Sequence, residues 1–162
     1  MNNELNIFMA IKPKYADLIY QKIKSLEWRK RISKKMIKHF KIHGSNQPLK
    51  VYIYESYPKK LITGYMIVDF VWKVNQSVIN QFYMADSKSF GIELDDLYNY
   101  YGINRKTGKN DYLGYALNIR DAVRFDKSIS LWDVDISYPP QDFIHLTPLD
   151  IEKIRKMARV YV

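Results

Sequence analysis

Between Leu61 and Val74 the chain runs for fourteen residues with no proline and only two charged side chains, Asp69 and Lys73. The β-branched and aromatic content of this run reads as one long strand, bent or bulged at Gly64, since glycine marks the point where a strand kinks or another backbone approaches closely. A strand of that length needs pairing partners along all of it, so shorter strands from distant parts of the sequence must gather around it. Its apolar part, Leu61 to Trp72, is too short for a membrane helix, which needs about 20 residues. The expectation is a strand in a soluble domain, with no membrane contact.

Candidate partners lie on both sides. Leu5 to Ile11 reads as a first strand that stops at Pro13, a residue suited to the first position of a helix. In the helix that follows, Tyr15, Leu18, Ile19 and Ile23 recur at helical spacing, which predicts helix to about Lys24. From Ser25 to Arg31 the pattern alternates: Leu26 and Trp28 on one face, Glu27, Arg29 and Arg31 on the other. That predicts a half-buried strand with a charged outer face. Residues 33–43 suit a basic helix capped by Ser33, with Met36, Ile37 and Phe40 as its apolar side. Beyond the loop 44–48, strands are expected at Leu49–Glu55, Tyr112–Phe125 and Phe143–Leu146. Helices are expected at Ser77–Ala85, at Leu94–Tyr101 and after Thr147-Pro148, with a polar loop at 104–110 and a break at Pro139-Pro140. Strands with helices set between them and distant pairings define an α+β fold around a small barrel or strongly bent sheet. With no internal repeat and no linker, residues 1–162 read as a single domain.

The chain has no cysteine, which excludes disulfides and thiolate zinc sites and fits a reducing compartment. Its first residues lack the basic n-region and the small-residue cleavage site of a signal peptide, so a cytoplasmic location is expected. Charge is distributed unevenly. Residues 1–60 carry fourteen Lys and Arg against four Asp and Glu, a balance of +10, and residues 61–162 carry twelve against thirteen, or −1, which together give the net +9. Such a field suits a surface that meets an anion, most often nucleic acid.

Two strings inside the basic segment, Ile11-Lys12-Pro13-Lys14-Tyr15-Ala16 and Glu27-Trp28-Arg29-Lys30-Arg31, resemble the ASCH domain, a branch of the PUA-like superfamily. Val51-Tyr52-Ile53-Tyr54, Gly114-Tyr115-Ala116 and Pro139-Pro140-Gln141-Asp142-Phe143 extend the resemblance over roughly residues 7–146. It implies a PUA-like β-pseudobarrel with flanking and inserted helices and a cleft beside the first helix. It also implies binding of RNA, or of a nucleotide from RNA, in RNA metabolism or gene regulation, with no cofactor. Some relatives are amidohydrolases acting on N4-acetylcytidine, and others are single-strand ribonucleases.

If the resemblance holds, Lys12, Lys14, Lys24, Glu27 and Arg29 line that cleft. The bases would meet phosphate or a base edge, while Glu27 would orient Arg29 or accept a hydrogen bond from a base amine. The bland alternative is a solvated charged strand with one Glu–Arg pair, worth about 0–1 kcal/mol. Arg31, Lys34, Lys35, Lys38 and Lys41 form a second cluster, either a phosphate-tracking patch or an ordinary solvated helix face. Tyr54, with Tyr52 on the same strand face, could supply a stacking surface, against core packing as the alternative. Were the protein an enzyme, Lys24 and Glu27 would be its catalytic pair. Glu27, however, occupies the position of the amidohydrolases' nucleophilic Thr, and a carboxylate is a poor substitute for that hydroxyl in amide cleavage. His39 and His43 have the i, i+4 spacing that can hold zinc but lack an evident third ligand, so no metal is expected. A third possibility is a regulatory protein whose basic patch docks on an acidic protein partner.

Overall fold

A computed structural model of the chain describes residues 5–103, 108 and 110–158. The polar loop expected at 104–110 lies mostly outside them. In chain order the elements are β1 (Ile7–Ile11), α1 (Pro13–Tyr20), β2 (Leu26–Arg29), α2 (Lys34–His43), β3 (Leu49–Glu55), β4 (Leu61–Val74), α3 (Gln76–Asp86), α4 (Leu94–Tyr101), β5 (Gly114–Ile129), β6 (Phe143–His145) and α5 (Pro148–Ala158). Short 3₁₀ turns occupy 44–46, 87–90 and 132–134. No helix among the described residues is long and apolar enough to cross a membrane.

The strands form one six-stranded sheet in the order β2-β5-β4-β3-β1-β6, curled into a half-barrel. The long β4 and β5 are its spine and pair antiparallel through most of their length. The bend expected at Gly64 is present as register shifts around Ile62–Gly64, with further shifts at Ile67–Phe70. Glycine is required there: a Cβ on Gly64 would lie 2.1 Å from the Val123 carbonyl oxygen and 2.7 Å from the Tyr20 hydroxyl. One pairing is parallel, β1 with β3. Parallel neighbours need a crossover rather than a tight turn, and α1, β2 and α2 all lie within that crossover.

Three apolar clusters hold these elements. The first lies between the sheet and helices α1 and α2, where Ile7, Met9, Ala16, Ile19, Met36, Phe40, Val51 and Met66 are buried. The second joins Phe8, Tyr52, Tyr54, Tyr65 and Phe125 to α5 through Ile151 and Ile154. In the third, α3 and α4 pack against β2 through Leu26, Trp28, Ile79, Phe90 and Leu97.

Four sequence expectations need correction. Helix α1 ends at Tyr20, not near Lys24: Lys22 adopts φ +64°, and the amides of Ile23 and Lys24 both return to the Leu18 carbonyl. This left-handed closure leaves Ile23 exposed and turns Lys24 inward. Strand β2 has no solvated outer face, for all four of its residues are buried. Glu27 and Arg29 do point away from Leu26 and Trp28, but into a covered cleft. Strand β5 runs on to Ile129 because Phe125 and Ile129 remain in the second cluster. Finally, Tyr54 is 5% exposed and packs edge-on against Phe8 at 5.8 Å, so it belongs to the core and offers no stacking face.

Candidate functional site

The half-barrel leaves two unpaired edges, β2 and β6, and a cleft of about 650 Å³ opens near where they face each other. The side chain of Arg29 spans this seam. From β2 its Nη2 donates to the carbonyl of Ala10 at the end of β1, and its Nη1 lies 3.9 Å from the Asp142 carboxylate just before β6. Residues from four other regions complete the cleft: Lys12 and Tyr15 around the start of α1, Lys24 from the turn after it, Asp96, Asn99 and Tyr100 on α4, and Pro140 and Gln141.

Lys24 is positioned by backbone. Its Nζ donates to the carbonyls of Leu26 at 2.5 Å and Phe90 at 2.8 Å, and Trp28 Nε1 shares the Phe90 carbonyl at 3.3 Å. Gly91, in the left-handed region at φ +64°, lies directly over the lysine stem: a Cβ there would be 2.5 Å from both Cγ and Cδ of Lys24. Burial lowers the Lys24 ammonium below the ordinary lysine value, and the neighbouring Glu27 carboxylate partly opposes that shift. The Tyr15 ring is 5.5 Å from Nζ, and Tyr100 receives the backbone amide of Lys30 on its hydroxyl.

Glu27 is flanked by both cations without being hydrogen-bonded to either. Its Oε2 is 3.8 Å from Lys24 Nζ and its Oε1 is 3.6 Å from Arg29 Nε. Glu27 Oε2 and Arg29 Nε are both out of solvent contact and without a hydrogen-bond partner. Buried polar atoms are nearly always satisfied, and an unmet one costs about 1–3 kcal/mol. Lys24, Glu27 and Arg29 thus form a loosely bonded charge triad behind the cleft surface, with the Glu27 and Arg29 side chains 9% and 10% exposed.

Of the expected site residues, the structure brings Lys12, Lys24, Glu27 and Arg29 together. The cleft wall also carries the acid Asp96, so its charge is mixed. Lys14 lines an adjoining hollow of about 480 Å³ with Lys88 and Glu93. Arg31 is exposed and pairs with Asp142 at 3.2 Å. Lys34, Lys35, Lys38 and Lys41 are exposed on α2, apart from the cleft. Lys35 and Lys38 line a separate groove, and Lys41 lies against Phe70 and Tyr115. Among the described residues no group of three or more His, Cys, Asp or Glu is placed to hold a metal ion. Sequence reasoning missed Tyr15 and Tyr100 as cleft residues, because both sit at apolar helical spacing and read as packing. Gln141 carried a signal, the Pro-Pro-Gln-Asp-Phe string.

These features define an α+β, PUA-like pseudobarrel with a polar cleft at its open seam. No sequence-family model matches this chain, and no curated protein sequence does. Solved structures do. ASCH from Zymomonas mobilis superposes with a TM-score of 0.70 at 16% identity, covering 94% of each chain. Human THYN1, in a complex with 5-methylcytosine-containing DNA, superposes with a TM-score of 0.58 at 9% identity over 98% of this chain and 100% of that one. The N-terminal domain of Staphylothermus marinus McrB gives 0.56 at 14% identity over 93% of both. The fold of this chain is therefore that of the ASCH and related PUA-like domains.

Proposed function

We propose that the protein binds RNA, or a nucleotide derived from it, by inserting a base into the seam cleft. The observation that carries this reading is the convergence of Lys12, Lys24, Glu27 and Arg29 with two aromatic rings, Tyr15 and Tyr100, around one cleft. The partly exposed side chains of Glu27 and Arg29 suit a base that presents an amino donor beside a ring acceptor, carboxylate to amine and guanidinium to ring nitrogen. Tyr15 and Tyr100 give the cleft aromatic walls on which a base can stack, and Lys12 is exposed at its rim to meet phosphate. The DNA held by human THYN1 supports, at the coarser level, a nucleic-acid partner for a chain of this fold.

The bonding of Lys24 favours binding over catalysis. An ammonium that donates to two backbone carbonyls is held as a structural donor, and Glu27 provides no hydroxyl nucleophile. Fluorescence anisotropy with short single-stranded RNA at low and moderate salt tests the reading. Binding is expected, and it should weaken steeply with salt as phosphate counterions are displaced. Glu27→Gln presents an amide where a carboxylate accepts, and should reduce affinity about tenfold, the value of one recognition contact. Absent or salt-insensitive binding refutes the proposal. Cleavage of the RNA by wild type that is lost in Lys24→Ala would instead show an enzyme.

A further inference from the structure

A second basic concavity lies between α2 and β6 and encloses about 690 Å³. From α2 it receives Lys35, Lys38, His39 and His43, and from β6 it receives His145. No carboxylate lines it among the described residues, in contrast to the cleft, where Glu27 and Asp96 offset the bases. His145 is tied to Ser33 at 2.9 Å and His39 to the Gln47 carbonyl at 2.7 Å, and the rings of His39 and His43 are 4.9 Å apart. The imidazoles are thus fixed in place but do not converge as metal ligands, and two lysines stand among them. The arrangement suits an anion with several acceptor oxygens, not a cation.

The groove lies near the seam. Strand β1 has Asn6 beside the groove and Ala10 beside the cleft, and the neighbouring segment has His145 in the groove and Gln141 in the cleft. In both cases four residues separate the two ends, which bounds the path at about 14 Å even if fully extended. Arg31, exposed and paired with Asp142, stands along the same edge. A mononucleotide in the cleft cannot reach the groove, whereas a short oligonucleotide can.

We propose that this groove is a phosphate track for the strand whose base occupies the seam cleft, and that its grip tightens as His145 gains charge. The proposal rests on the nucleic-acid reading of the cleft for its ligand class. Histidine is the side chain whose charge changes between about pH 8 and pH 5. The charged groups facing these rings are Lys35 and Lys38 from α2, and each added positive charge beside them strengthens a polyanion's hold. Burial and the Lys35 charge both lower the His145 value, so His145 gains its proton below the ordinary histidine value, or when phosphate arrives to favour it.

The test is anisotropy with fluorescein-labelled cytidine dinucleotide and octanucleotide at pH 5.5 and 7.5 and constant ionic strength. It compares wild type with Lys38→Ala/His43→Ala and with His145→Gln. In wild type the octamer should bind about tenfold more tightly at the lower pH, and the dinucleotide should change little. Lys38→Ala/His43→Ala should lose the length dependence and His145→Gln the pH dependence, while both retain dinucleotide affinity, which also shows that they are folded. If the octamer binds no more tightly than the dinucleotide at either pH, or the variants keep both dependences, the track is overturned and the cleft reading stands. If neither oligonucleotide binds, both readings fall. If polyglutamate displaces the octamer as effectively as RNA does, the commitment to nucleic acid is wrong.

Discussion

Gly91 and Lys24 act as one unit, because the glycine has no side chain exactly where the lysine stem must pass. Gly91→Ala places an L-residue at φ +64° and a methyl 2.5 Å from the stem. The left-handed conformation alone costs about 1–2 kcal/mol, and Lys24 must leave its two carbonyls to make room. We expect a moderate fall in Tm and a larger loss of RNA affinity. Gly102→Ala is the control: its φ is +71°, but nothing lies within 4 Å of the added methyl, so it should lose stability alone. Equal loss of binding in both variants would show that Lys24 takes no part. Arg29 has a comparable double role at the seam, where one guanidinium serves Ala10, Asp142 and Glu27. Arg29→Met removes the cation beside buried Glu27 and should destabilise the fold by about 3 kcal/mol, measurable by urea denaturation.

At the scale of elements, stability is concentrated where β4 crosses β5. Gly64→Ala drives a methyl into the Val123 carbonyl, and the fixed backbone on both sides leaves no route for relaxation. A cost of about 3 kcal/mol is expected, the upper part of the range for overpacked sites, with the loss appearing in thermal melts. Helix α3 offers a milder contrast. Asn75 caps it by accepting the Val78 amide at 2.9 Å, and Asn75→Ala should cost about 1 kcal/mol. The elements themselves were largely legible from periodicity: Pro13 opens α1, Gly64 marks the bend, and the alternation of β2 separates Glu27 and Arg29 from Leu26 and Trp28. What periodicity could not show is what covers a polar face. The acid and the guanidinium of β2 read as solvated because alternation reports sides, not lids, and the lid comes from α1, α4 and residues 140–142, remote in the chain. The end of α1 was hidden for a different reason. Ile23 continues the apolar spacing, and only the left-handed Lys22 breaks it.

For the molecule as a whole, buried phenols set the alkaline limit. Burial raises both Tyr20 and Tyr101 above the ordinary tyrosine value, so the folded protein keeps these protons at a pH where the unfolded chain releases them. Their contribution is complete below about pH 10 and is lost progressively above it. Lys24 has the opposite sign: its value is lowered in the fold, so its contribution grows as pH rises toward the ordinary lysine value of about 10.4. Tm should therefore hold until about pH 10 and fall steeply beyond, and Tyr101→Phe should flatten that fall. An unchanged slope in the variant would place the alkaline transition elsewhere. At this scale the charge asymmetry of the sequence was informative but too coarse. The basic third of the chain does not converge on one hollow. It divides between a cleft of mixed sign and a groove that no carboxylate lines among the described residues.

The parallel pairing of β1 with β3 has an evolutionary consequence. Because two adjacent strands run the same way, the chain must make a detour between them, and Lys24, Glu27 and Arg29 all travel in that detour, whereas Tyr100 and Gln141 do not. On the proposed reading, recognition is shared between a portable cassette and a resident scaffold: a graft of the detour onto another barrel of this kind would carry Tyr15 with the charged groups, while the host would keep its own counterpart of Tyr100.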